Sequence, residues 1–98
     1  MTNRARLDDS DLHPHLEARM RQRGITRSEI EETLNQGWPA GDAKSGTFGK
    51  AFVFSHGGDW EGRHSDEKEV TVYHKLVDDN LVLLTAKARY GKRFSRRG

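Results

Sequence analysis

A short apolar run near the end of the chain limits the possible folds more than any other segment. The run is Leu81-Val82-Leu83-Leu84, the longest unbroken apolar stretch in the sequence. Consecutive apolar residues are typical of a strand that is buried on both faces. We therefore expect residues 81–91 to form the central strand of a small sheet, onto which the rest of the chain folds.

Two further strands are predicted upstream of this run. Residues 69–77 alternate between apolar and polar side chains, as a strand with one buried face does. The turn Asp78-Asp79-Asn80 is short enough to join that strand to the last one as an antiparallel hairpin. An earlier strand is expected over residues 47–55. Between these strands, the polar and glycine-rich residues 56–66 are expected to form a long loop.

Helix signals occupy the first half of the chain. A first helix is expected to begin at a cap on Ser10 or Asp11 and to end at Gly24. Residues Thr26-Arg27-Ser28-Glu29 form a capping box that begins a second helix, which Gly37 ends. Two helices followed by three strands indicate the α+β class. We predict an N-terminal helical hairpin packed on a small curved antiparallel sheet of three to four strands.

Length and composition favour a single domain over residues 1–98. Residues 1–9 lack periodicity and are expected to be disordered, and residues 92–98 are expected to form a basic tail. The chain contains no cysteine, which excludes disulfides and thiolate metal sites. It also lacks both the roughly 20 apolar residues of a membrane span and the apolar centre of a signal peptide. We therefore expect a cytoplasmic protein with no membrane association.

Positive charge is concentrated at one end of the chain. The net charge is only +2, because the remainder of the chain has more acidic than basic residues. From position 87 onward there is no acidic residue, and the basic ones are Lys87, Arg89, Lys92, Arg93, Arg96 and Arg97. Such a segment indicates an anionic partner, with nucleic acid as the leading candidate. The alternative is a solvated basic tail that serves solubility.

Several short motifs carry a family resemblance. They are His15-x-x-x-Arg19-Met20-x-x-Arg23-Gly24-Ile25, a capped helix with Ile30, Val70-Thr71-Val72-Tyr73, and Leu83-Leu84-Thr85-Ala86. Together they resemble the small bacterial domains called DUF4258, over most of the chain. Those domains are similar to the wider group of RelE-like and colicin-type toxin nucleases, which place two helices against a curved antiparallel sheet. The resemblance implies this fold, and membership of a group that includes metal-independent ribonucleases.

The residues can be assigned roles in such a ribonuclease. Cleavage of RNA without a metal needs an acid or base and positive charge at the phosphate. The candidate catalytic residues are His15 as acid or base, Arg19 and Lys87 on the phosphate, and Thr85 and Tyr90 as hydrogen-bond donors. The candidate RNA-binding residues are Arg23, Arg89, Lys92 and Arg93. Strand alternation puts Tyr90 on the face opposite to Thr85, so its assignment requires a bulge or a strand end.

Two functions remain open from the sequence. The first is a toxin-type, metal-independent ribonuclease that attacks through the 2′-hydroxyl and is silenced by an antitoxin or immunity protein. It requires Arg19 to approach the face of Thr85 and Lys87 across a groove. The second is a non-catalytic module that binds nucleic acid or protein, in which His15 is simply an exposed residue of the first helical turn. We expect a monomer or weak homodimer, no cofactor and no metal, because the histidine spacings match no ligand pattern.

Overall fold

Two helices lie on one face of a four-stranded antiparallel sheet in a computed structural model that describes residues 7–96. A 3-10 turn, Asp9–Asp11, precedes the helices. The elements are α1 (Pro14–Arg23), α2 (Arg27–Gln36), β1 (Trp38–Pro39), β2 (Phe48–Trp60), β3 (Arg63–Val77) and β4 (Asn80–Gly91). The spatial order of the strands is β1-β2-β3-β4. The predicted α+β class, with a helical hairpin on a small curved sheet, is confirmed.

The central strand is β3, so the prediction that the Leu81–Leu84 run lies at the centre of the sheet is wrong. Strand β3 pairs with β2 on one side and β4 on the other, and Val70, Thr71 and Val72 are all at most 3% exposed. Strand β4 is an edge strand. A register shift opposite His74 interrupts the apolar run, which leaves Leu83 2% exposed and Leu81 37% exposed.

Residues 56–66 do not form the predicted loop, because strands β2 and β3 continue through them as a long hairpin. The pairing extends to Trp60 and Arg63. The two connecting residues, Glu61 and Gly62, have φ values of 51° and 78°, which suit a tight hairpin turn. Gly57 has a φ of 55° at the point where the register shifts, so the glycine that suggested a loop permits a bulge.

The hydrophobic core lies between the helices and one face of the sheet. Leu16 of α1 and Ile30 of α2 are fully buried against the apolar residues of β3 and β4. Leu7 belongs to the same core and is 5% exposed, and its N–H donates to Glu31 Oε1 at 3.3 Å. The prediction of disorder over residues 1–9 is therefore wrong for Leu7, while residues 1–6 lie outside the described residues.

The helix caps are partly as predicted. Thr26 Oγ1 accepts from the Glu29 N–H at 3.1 Å and the Thr26 N–H donates to Glu29 Oε1 at 2.9 Å, which confirms the capping box. Helix α1 is capped by His13 and not by Ser10 or Asp11, which belong to the 3-10 turn. The His13 Nδ1 atom accepts from the Leu16 N–H at 3.3 Å. Imidazole thus takes the role usually filled by a hydroxyl or carboxylate.

The described part of the predicted basic tail folds back onto the sheet through Phe94 and Arg96. The Phe94 N–H donates to Glu67 Oε1 at 2.8 Å. Arg96 pairs with Glu67 Oε2 at 2.6 Å and donates to the Val53 carbonyl at 3.1 Å. Residues 97–98 lie outside the described residues. Within residues 7–96, no helix has the length and apolar character needed to cross a membrane.

Candidate nucleic-acid interface

The sheet has one face that the helices do not cover, which we call the open face. Residues that pair directly across an antiparallel sheet share a face. The register therefore assigns to the open face Ala51, Val53, Glu69, Thr71, Tyr73, Thr85, Lys87 and Arg89. The helices pack against the opposite face, which carries Val70, Val72 and Ala86. The prediction that Thr85, Lys87 and Arg89 share one face is confirmed.

The open face holds a groove of about 450 Å³. Residues 38–42 form one wall of the groove, and Ser95 of the returning C-terminal segment lies at its border. Its other lining residues are Ala51, Glu69, Thr71, Lys87 and Arg89. The groove therefore combines two cations with two carboxylates, while the ring of Trp38 at its wall packs on Phe52 at 5.6 Å between centroids.

Lys87 belongs to a cluster with Asp42 and Tyr73. Its Nζ atom lies 2.6 Å from Asp42 Oδ2, and the Tyr73 hydroxyl donates to the same oxygen at 2.8 Å. The hydrogen bond from Lys87 lowers the pKa of the Asp42 carboxyl, and the same bond raises the pKa of Lys87. Burial raises the pKa of Tyr73. At neutral pH the cluster is thus an ion pair with a neutral hydroxyl donor.

Arg89 is oriented from two sides. Its Nε donates to Glu69 Oε1 at 2.8 Å, and its Cζ lies 4.8 Å from the centroid of the Phe94 ring. This ion pair engages Nε, so the two terminal nitrogens of the guanidinium form no ion pair within residues 7–96. A guanidinium held in this way is suited to a bidentate contact with a phosphate.

His15 and Arg19 lie on the other side of the sheet, because the buried face of α1 packs on the helix-covered face. The His15 side chain is exposed, and its ring stacks on the His13 ring at 6.1 Å. Arg19 Nη1 donates to Gln22 Oε1 at 3.0 Å. The expectation that Arg19 approaches Thr85 and Lys87 across a groove is therefore wrong, since the sheet separates them.

Tyr90 and Arg23 also lie on the helix side. The Tyr90 hydroxyl donates to the Arg23 carbonyl at 2.6 Å, and burial raises the pKa of Tyr90 to about 12. Its ring stacks on Trp60 at 5.5 Å between centroids. Arg23 Nη1 donates to the Ala86 carbonyl at 3.4 Å. These residues line a second cleft of about 680 Å³, together with Gln22, Glu61, Arg63, His64, Ser65, Ala88 and Gly91.

The remaining predicted residues are peripheral. Lys92 and Arg93 are exposed beyond the end of β4, and Thr85 borders a recess next to Tyr73 and Asp42. Of the five candidate catalytic residues, the structure thus places only Thr85 and Lys87 on the open face. It adds Asp42, Tyr73, Glu69 and Trp38, which the sequence reasoning did not select. Strand alternation was a usable signal for Tyr73 and Glu69, whereas the connection that carries Asp42 has no local pattern.

The histidines lie away from the open face or at its margin. His74 faces the helix side and stacks on Phe48 at 5.7 Å, and its two buried ring nitrogens have no hydrogen-bond partner among residues 7–96. His64 lies at the hairpin end with Nδ1 3.4 Å from Asp59 and Nε2 3.6 Å from Asp66. In the part of the chain that the structure describes, no group of three or more histidine, aspartate or glutamate side chains is arranged to hold a metal ion.

Comparison with protein-family models, with curated proteins and with solved structures finds no match to this chain.

Proposed function

We propose that this domain binds single-stranded RNA along its open face. The observation that carries the proposal is the pair of cations Lys87 and Arg89, side by side in the groove beside Trp38. Alternate residues of a strand are about 7 Å apart and point to the same side, so the two cations can contact neighbouring phosphates. Lysine offers a point charge and arginine a planar fork, so the pair combines two modes of phosphate contact.

The internal ion pairs of the groove are compatible with this role. The side chains of Lys87 and Asp42 are 42% and 55% exposed, and that of Arg89 is 61% exposed. An exposed ion pair contributes about 0.2–1 kcal/mol and the Tyr73 hydrogen bond to Asp42 about 1 kcal/mol more, so a phosphate can displace the Asp42 carboxylate at a cost of about 1–2 kcal/mol. Glu69 is only 13% exposed and keeps Arg89 in place while the terminal nitrogens of Arg89 face a ligand.

A second candidate function is the metal-independent ribonuclease indicated by the family resemblance, with a changed set of residues. It is favoured by Glu69, a carboxylate in the same groove as Lys87 and Arg89. Glu69 would accept the proton of the 2′-hydroxyl as its oxygen attacks phosphorus, the bond to the 5′-oxygen would break, and water would protonate that oxygen. Lys87 and Arg89 would stabilise the charge of the phosphorane. In this toxin-type function, an antitoxin or immunity protein would cover the open face.

Binding is tested by fluorescence anisotropy with a labelled single-stranded RNA of about ten nucleotides. We expect Lys87→Ala and Arg89→Ala each to weaken binding about fivefold to tenfold. In a plot of the logarithm of the binding constant against the logarithm of the salt concentration, each variant should have a slope that is smaller in magnitude by about 0.7. Arg21→Ala is the matched control, because Arg21 is an exposed arginine of α1 on the other side of the sheet. Equal losses in Arg21→Ala and the groove variants would show that binding is not located on the open face.

Cleavage is tested with the same RNA at neutral pH in EDTA, with the products resolved on a gel. The ribonuclease function predicts products ending in a 2′,3′-cyclic phosphate, lost in Glu69→Gln but retained in His15→Ala and Arg19→Ala. Binding of intact RNA without cleavage in the wild-type protein would leave RNA binding as the function and reject the ribonuclease.

A further inference from the structure

We propose that Lys87 and Tyr73 form a subsite for a phosphoryl oxygen, which the chain's own Asp42 carboxylate occupies in the free protein. The inference rests on the proposed RNA-binding function and adds a residue-level competitor to it. RNA would then bind at full strength only after Asp42 leaves the subsite.

The geometry of the contact is that of an oxyanion site. A single oxygen, Asp42 Oδ2, accepts from the Lys87 ammonium at 2.6 Å and from the Tyr73 hydroxyl at 2.8 Å. The two donors stand on neighbouring strands, β4 and β3, and the Lys87 Nζ atom also lies 5.5 Å from the centroid of the Tyr73 ring. Two convergent donors on paired strands suit a negatively charged oxygen, whether it belongs to a carboxylate or a phosphate.

The present occupant belongs to a surface connection. Asp42 lies between β1 and β2, next to Gly41, and its side chain is 55% exposed. The connection is anchored near its ends, where the Ala40 N–H donates to the Gly49 carbonyl and the Thr47 N–H donates to the Lys44 carbonyl, each at 2.9 Å. The carboxylate can therefore leave the subsite by a local movement of an exposed segment, without disturbing the strands.

The competition has a predictable size. The tethered Asp42 carboxylate competes for the subsite at an effective concentration in the millimolar range. RNA can still displace it, because RNA contacts Arg89 at the same time as Lys87. When a competitor leaves the site open for a fraction of the time, the apparent Kd rises by the inverse of that fraction. If Asp42 leaves the subsite open about one tenth of the time, its removal tightens RNA binding about tenfold.

The first experiment compares Asp42→Ala with Glu17→Ala in the RNA-binding assay. Both variants remove one negative charge, but Glu17 is exposed on α1, across the sheet from the groove. We expect Asp42→Ala to bind about tenfold more tightly than wild type, Glu17→Ala to stay within about twofold, and Asp42→Asn to resemble Asp42→Ala. Adding Lys87→Ala to Asp42→Ala should abolish the gain. An Asp42→Ala affinity equal to that of Glu17→Ala would overturn the inference.

A second experiment separates this inference from the proposed function. Inorganic phosphate is titrated at constant ionic strength into the wild-type protein and Asp42→Ala, with amide NMR signals of Tyr73 and Lys87 followed. We expect saturable shifts in Asp42→Ala at phosphate concentrations about tenfold lower than in the wild-type protein. Such shifts would support the subsite independently of RNA. If RNA binding did not depend on Lys87 and Arg89, that result would reject the proposed function but not the subsite. Equal phosphate binding by both proteins would overturn the inference and leave the RNA proposal standing.

Discussion

Replacement of Lys68 by alanine is expected to destabilise the domain by about 3 kcal/mol, because a buried ammonium joins both helices to the sheet. Lys68 lies in β3 and is 4% exposed. Its Nζ donates to Glu29 Oε1 at 2.7 Å and to the Gly24 carbonyl, and lies 5.5 Å from the centroid of the Tyr90 ring. Gly24 caps the end of α1 and Glu29 belongs to the first turn of α2, so one side chain contacts both helices.

The magnitude follows from what each group would lose. A hydrogen bond to a charged group contributes about 1.5–3 kcal/mol, and removal of one partner from a buried ion pair costs about 3–5 kcal/mol. The side chain of Glu29 is 20% exposed, so water can partly replace the ammonium, and the expected cost lies at the lower end of that range. A domain of this size has about 5–10 kcal/mol of total stability, so Lys68→Ala should still fold.

Urea unfolding followed by circular dichroism measures the effect. With a slope of about 1.5 kcal/mol/M, the unfolding midpoint should fall by about 2 M. Lys87→Ala is the control, because both side chains of its ion pair with Asp42 are exposed and the pair should contribute less than about 1 kcal/mol. Lys68→Met keeps the apolar stem, and the double variant Lys68→Met/Glu29→Gln should regain part of the loss. A cost below about 0.5 kcal/mol for Lys68→Ala would refute the assignment of a stabilising buried ion pair.

Three further predictions concern single side chains. His13→Ala removes both the cap of α1 and a 2.9 Å contact with the Leu83 carbonyl, so it should lower the free energy of unfolding in urea by about 1–2 kcal/mol. His15→Ala, at the exposed neighbouring histidine, should lower it by less than about 0.5 kcal/mol. Burial lowers the pKa of His74 from 6.5, so the unfolded state binds the proton more readily. The free energy of unfolding should therefore fall as the pH drops below about 6.5, and it should fall less steeply in His74→Leu. Equal slopes of unfolding free energy against pH in both proteins would contradict this. The pKa of Tyr90 is raised to about 12 from 10.0, so stability should fall as the pH rises above about 10, and a Tyr90→Phe variant with an unchanged profile would contradict this.

Local signals predicted the parts of the fold that depend on neighbouring residues. The capping box at Thr26 and Glu29 is satisfied within four residues, so its sequence is sufficient to identify the start of α2. The alternation of residues 69–77 likewise predicted a strand with two distinct faces. Residues 56–66 were misassigned because the far end of the β2–β3 hairpin has mostly exposed side chains, which leave no apolar pattern in the sequence.

The candidate site was only half predictable, because strand alternation says which residues share a face but not which face the helices cover. Both faces of β2 and β3 carry small or apolar residues, such as Val53 and Thr71 on the open face and Val70 on the helix side. The choice between them is made by tertiary packing. Lys87 and Arg89 were therefore placed together correctly, while Arg19 was expected on the wrong side of the sheet.

Two polar side chains at the ends of α1, its cap His13 and Arg23 of its last turn, have a structural role at the edge of the sheet. Within the described residues no strand pairs with the outer edge of β4, and carbonyls on such an edge can pair with another chain. Two carbonyls of β4 instead accept from α1 and its cap: Leu83 from His13 Nε2 and Ala86 from Arg23 Nη1. His13 and Arg23 thus protect the outer edge of β4. The side chains of Lys87 and Arg89, which lie on the open face of the same strand, remain accessible.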